Sequence, residues 1–228
     1  MPGPAERAGL VLEVIVFGLV WHALMNAAPG GSSGGITAGN LLVFAVVAVP
    51  VTLVLVALFA RLRGQRLADL GLRRPERGWP RALILGVLAG LSLVVVTAPL
   101  VPLLRDLGLE RLDPFVVDGR GSALVSAVCA VAAGGFMEEL VYRGYGFARL
   151  ERAFASEVRP AQGVVLAALA TALVFGATHL YQGGQAVVVV TLWGLGFAVL
   201  RQLARGQLVP VMIAHGTINV LAFVARGG

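Results

Sequence analysis

Seven apolar stretches, at roughly 9–25, 39–60, 82–104, 121–142, 162–180, 185–200 and 208–224, divide this chain. A helix needs about 20 apolar residues to cross the hydrocarbon core of a bilayer, and each stretch approaches that length, the last three being shorter. Backbone N–H and C=O groups find no water in lipid, so such stretches are expected as helices that satisfy their own hydrogen bonds. The ten-residue alternation that builds a membrane barrel is missing, and no internal repeat is visible. The sequence therefore predicts an all-α, polytopic transmembrane helical bundle of about seven spans, with eight as the alternative. Residues 1–228 are expected to form one membrane domain. Composition agrees: 58% of residues are hydrophobic and only 13% charged, against about 25% charged in a soluble domain.

The net charge of +6 comes from arginine alone. A basic chain raises the question of nucleic acid, but these arginines sit in short connections between apolar stretches, where they orient a membrane protein. No nucleic-acid partner is expected. The densest cluster runs from Arg61 to Arg81, and Arg149, Arg152, Arg159, Arg201 and Arg205 mark two further connections. These should be cytoplasmic, while the uncharged Pro29–Gly35 and Tyr181–Gln185 connections suit the other side. The alternation places the N-terminus inside and the C-terminus outside. Glu13 and His22 interrupt the first stretch, and no small-residue cleavage pattern precedes Pro29, so it reads as an uncleaved span. Glu13 is expected to snorkel to the surface. The lone Cys129 excludes an intrachain disulfide and a cysteine-based metal cluster.

Against this apolar background the run Glu138-Glu139-Leu140-Val141-Tyr142-Arg143 stands out. A charged side chain at the middle of a membrane helix costs roughly 2.5–3.5 kcal/mol. Three of them within one short run must pair or perform a task. Glu139 and Arg143 stand at i and i+4, acid before base, the favourable order for a helical ion pair. Glu138 points elsewhere and is left to act as a general acid or base. Two later stretches each carry one histidine. His179 follows Phe175 by four residues, so the ring can restrict the imidazole, and His215 precedes Asn219 by four, aiming an imidazole and an amide at one point. That pair suits an oxyanion. Thr178 and Thr217 are as well placed to bond back to their own helices.

Glu-Glu-x-x-x-Arg, Phe-x-x-x-His and His-x-x-x-Asn, in that order on successive apolar stretches, resemble the CAAX prenyl endopeptidase and bacteriocin-processing family of intramembrane proteases, also called the Abi family. The resemblance covers about residues 120–225, the expected catalytic core helices. It implies an intramembrane endopeptidase in which Glu138 activates water, His179 helps to hold it, and His215 and Asn219 stabilise the oxyanion. Glu139 and Arg143 would then be a supporting pair that positions Glu138. The implied partners are the lipid bilayer and a peptide or membrane-protein substrate, with a bacterial plasma membrane as the location. A bacterium need not make prenylated proteins, so the substrate need not be one.

Two further readings use the same residues. Intramembrane acids and histidines also mark proton-coupled transporters, although no repeat or pair of broken helices accompanies them here. A non-catalytic membrane partner, such as an immunity or scaffold protein, would keep the geometry without the reaction. No cofactor is expected; the alternative is zinc, for which Glu138, His179 and His215 would form a His₂Glu site with an open fourth position. One difficulty is spatial. With the fourth stretch ending near 142, Glu138 and His179 fall about 20 Å apart in depth, at 1.5 Å per residue. Either the fourth helix extends to about 153 with Arg143 buried inside it, the reading favoured because Arg143 has a partner, or the fifth stretch is shifted; the span count can then change by one.

Overall fold

The computed structural model describes residues 2–27, 35–159 and 161–227, so the expected uncharged connection at Pro29–Gly35 lies outside the described residues except for Gly35. The chain forms helices α1 (Pro4–Ala27), α2 (Ala38–Arg61), α3 (Trp79–Thr97) and α4 (Leu100–Asp106). A single long helix follows. It starts as α5 (Gly119–Ala130), widens into two π-helical segments at Val131–Glu138 and Leu140–Gly146, and ends as α6 (Phe147–Ala153). Helices α7 (Ala161–Ala177), α8 (Gly184–Leu203) and α9 (Val209–Gly227) complete the bundle. Six helical stretches are long and apolar enough to cross a membrane; α7 is apolar but shorter. Among the described residues there is no strand, only an isolated bridge between Ile36 and Phe115.

The bundle is apolar on the outside, and its largely apolar interior holds a small charged cluster. Leu12, Leu19, Val46, Val54, Val95 and Leu173 are exposed, whereas Glu139 and Arg143 are fully buried. An apolar exterior is what lipid selects, because lipid gives apolar side chains no reason to hide. Helices then associate through close packing and interhelical hydrogen bonds. Both are present. A Cβ on Gly86 would come within 2.7 Å of the Pro210 carbonyl, and one on Gly90 within 2.6 Å of the Ala214 carbonyl, so the Gly-x-x-x-Gly face of α3 lies directly on the backbone of α9. Trp21 Nε1 donates to Thr52 Oγ1 at 2.8 Å, joining α1 to α2, and Trp193 Nε1 donates to Thr97 Oγ1 at 3.0 Å, joining α8 to α3.

The connections gather at two ends. At one, Leu208 N–H donates to Gly71 O, Arg73 to Arg205 O, and Arg152 pairs with Glu6. At the other, Leu112 N–H donates to Gln182 O, Gln185 N–H to Glu110 O, and Arg226 pairs with Asp113 at 2.8 Å. Burial raises the Asp113 carboxyl, but the hydrogen bonds and charge of Arg226 prevail and hold it below its usual range. The arginine connections expected on one side do lie together at the first end. Glu13 is there too, but it does not snorkel. It accepts from Tyr145 Oη at 2.6 Å and Arg149 Nε at 2.9 Å, and pairs with Arg63, because the long helix carries these partners past its face.

The long helix settles the depth problem. It runs unbroken to Ala153, so Glu138 sits near its middle, and Arg143 is buried within it. Helix α7 is short and ends beside it: Tyr142 Oη donates to Thr178 Oγ1 at 3.4 Å. Replacing Gly90 with Ala should lower the thermal midpoint in detergent, since overpacking costs about 1–3 kcal/mol. Gly18→Ala, whose Cβ meets open space, should leave it unchanged; equal midpoints for the two variants would contradict the α3–α9 contact described here.

Candidate functional site

The site begins where the long helix departs from α geometry. A π-helix bonds i to i+5 and is wider than an α-helix, and such segments recur at functional sites. Here the widened stretch carries Glu138, Glu139 and Arg143 together with Gly134. Gly134 lets α9 approach: a Cβ there would stand 2.5 Å from Asn219 Nδ2 and 3.1 Å from His215 Nε2. Asn219 and His215 therefore converge on one point of the π segment, as their i, i+4 spacing requires. Asn219 Nδ2 also donates to Ala130 O at 2.8 Å, at the junction of the α and π geometries. One of its two amide hydrogens is thereby committed, and the other is left for a ligand.

Glu139 is the hub of the buried part. Its Oε1 accepts from Arg143 Nη1 at 3.1 Å and lies 2.8 Å from His215 Nδ1. A carboxylate only accepts, so Nδ1 carries a proton and His215 presents Nε2 to the opposite side. There Nε2 lies 4.0 Å from Glu138 Oε2. That is too long for a direct hydrogen bond, but one oxygen atom between them can reach both. The aromatic surroundings fix this arrangement. Phe197 stacks on the His215 ring, with centroids 5.1 Å apart and planes 21° from parallel, and the Arg143 guanidinium lies 4.3 Å from the Phe175 centroid.

His179 arrives from the turn after α7. Its Nδ1 is 2.8 Å from the Phe175 carbonyl, which can only accept, so this ring too has a protonated Nδ1 and an Nε2 free of it. Phe175 meets the imidazole edge-on at 4.9 Å. Thr178 and Thr217 bond back to Phe175 O and Ile213 O on their own helices.

These groups line a cavity of about 450 Å³. Glu138, His179, His215 and Asn219 all face it, and Phe175 contributes to the wall; Glu139 and Arg143 lie behind His215. Glu139 is thus bonded to His215. The cavity also contains residues that the motifs do not reach: Trp21 and His22 from α1, Phe44 from α2, Trp193 from α8. His22 was visible in the sequence only as a histidine interrupting an apolar stretch. Among the described residues no three His, Cys, Asp or Glu side chains converge closely enough to hold a metal ion.

Residues 120–221 match the family model described as Rce1-like, type II CAAX prenyl endopeptidase. The match spans just under half of the chain and contains all seven site residues expected from the sequence. No curated protein and no solved structure matches the chain.

The buried pair carries its own test. Arg143→Met leaves the Glu139 carboxylate without its cation in a dry setting, and breaking such a pair costs about 3–5 kcal/mol. The thermal midpoint should fall accordingly, and Glu139→Gln combined with Arg143→Met should recover part of the loss. A double variant no more stable than Arg143→Met would show that the charge imbalance is not the cause.

Proposed function

We propose, from the premise that residues 120–221 form an Rce1-like segment of the type II CAAX prenyl endopeptidase family, that this protein is an intramembrane endopeptidase using Glu138 to activate water. The observation that carries the reading is the 4.0 Å gap between Glu138 Oε2 and His215 Nε2, at the floor of a cavity that also holds His179 and Asn219. A carboxylate, two imidazoles and an amide around one small space can act on a single carbonyl.

Each group has a task that its hydrogen bonds allow. Glu138 takes a proton from water, while the free Nε2 of His179 accepts the second water hydrogen and aims the oxygen. The hydroxide adds to the peptide carbonyl carbon. The resulting oxyanion receives the uncommitted Asn219 hydrogen and a hydrogen from His215 Nε2, which takes up that proton from solvent before the substrate enters and keeps it through the cycle. Such donors, held in place before reaction, typically contribute a factor of 10²–10³ each. When the intermediate collapses, the C–N bond breaks and Glu138 returns its proton to the departing amine. Glu139 and Arg143 are positioning residues: they hold the His215 ring and its Nδ1 proton. The apolar walls, Phe44, Phe115 and Trp193 among them, suit apolar side chains beside the cleaved bond.

A second mechanism has one observation in its favour. Both imidazoles hold Nδ1 on an acceptor and leave Nε2 free, as metal-binding histidines do. Glu138, His179 and His215 would be the ligands of a zinc ion, which would supply Lewis-acid activation of water. We favour the carboxylate mechanism, in which Glu138 acts on water without a metal.

Purified protein should cut members of a mixed peptide library in detergent, and Glu138→Gln should abolish cutting while leaving the melting profile unchanged. Cutting that survives a zinc chelator supports the carboxylate mechanism; loss on chelation, restored by zinc, selects the metal. A Glu138→Gln protein that still cuts would sink both.

A further inference from the structure

The lining of the cavity reaches one end of the bundle and not the other. Beyond the site residues, its lining includes Asn26 from the last turn of α1, Ile36, Arg111 and Phe115 from connecting segments, Gln182 from the turn after α7, and Arg226 from the last turn of α9. All belong to the end where Arg226 meets Asp113 and Leu112 meets Gln182. The lining includes no residue from the opposite end. On that side the way is closed by Leu70, Tyr145, Phe147 and Leu208, each with no exposed surface.

The two ends differ in charge in the way that sets membrane orientation. The connection from Arg61 to Arg81 alone holds seven arginines, and the same end adds Arg149, Arg152, Arg159, Arg201 and Arg205. The mouth end has Arg105, Arg111, Arg120 and Arg226. An excess of Arg and Lys in short connections keeps them cytoplasmic. We propose that the cavity is open to the extracytoplasmic side, so that its substrate is a peptide segment presented from that side. The substrate clause rests on the proteolytic reading above; the direction of opening does not. A cytoplasmic tail would have to pass the closed apolar layer to reach Glu138. A translocated peptide, or the outer juxtamembrane segment of another membrane protein, meets the mouth directly.

Sidedness can be read without any activity. In a full-length Cys129→Ala background, Asn26→Cys and Gln182→Cys report on the mouth and Arg74→Cys on the arginine-rich end. A membrane-impermeant maleimide added to intact cells should label Asn26→Cys and Gln182→Cys, and should label Arg74→Cys only in inverted vesicles. The reverse pattern, or labelling of all three from one face, would overturn the proposal. Expected labelling without cleavage of any peptide would defeat the protease reading and leave the direction of opening intact. Reversed labelling with cleavage dependent on Glu138 would do the opposite.

Discussion

One carboxylate oxygen, Glu139 Oε1, receives both the Arg143 guanidinium and the His215 imidazole, 3.1 and 2.8 Å away, in the centre of the bundle. The three groups come from two helices, and Glu139 and Arg143 are fully buried. Glu139 Oε2 and the Arg143 Nε and Nη2 atoms make no hydrogen bond within the described residues, so the charges rely on each other and on the Phe175 and Phe197 rings beside the guanidinium. Cation–π contact in a desolvated site is worth about 2 kcal/mol. That is useful support, but it does not replace the pair. The arrangement is tolerable only as a set, and its by-product is an imidazole with one fixed tautomer and one face turned to a cavity.

Bringing α9 close enough for that contact requires the removal of side chains in two directions. Gly86 and Gly90 seat α9 against α3, and Gly134 seats it against the widened part of the long helix. The helix with His215 and Asn219 is therefore gripped on both sides by surfaces without a Cβ. Close packing of this kind substitutes for the hydrophobic effect, which lipid removes. The π geometry adds to the same end, because it places Gly134, Glu138 and Glu139 on a broader surface than an α-helix offers.

Much of this was legible in the sequence. The apolar stretches located the helices, the i, i+4 spacing paired Glu139 with Arg143, and the order of the three motifs placed the site on three helical regions. Local spacing is readable because a helix fixes which side chains are neighbours. The partner of Glu139 across the bundle was not readable, since His215 is 76 positions away and only packing brings it there. Gly134 had no local signature; its importance is the atom it lacks, measured against a helix that comes much later. Glu13 was misread for the same reason. An acid near the start of a span snorkels when nothing faces it, and here Tyr145 and Arg149 do.

The first hundred residues carry no motif and lie outside the family match, yet they complete the cavity. Trp21, His22 and Phe44 form walls that the motif helices cannot supply, because α5 and α9 turn their remaining faces to each other and to α2 and α3. The polar groups of the site and part of the wall around them thus come from different parts of the chain. Trp21, His22 and Phe44 line the cavity without bonding to the Glu139 hub, so α1 and α2 are where that wall can change without disturbing the hub.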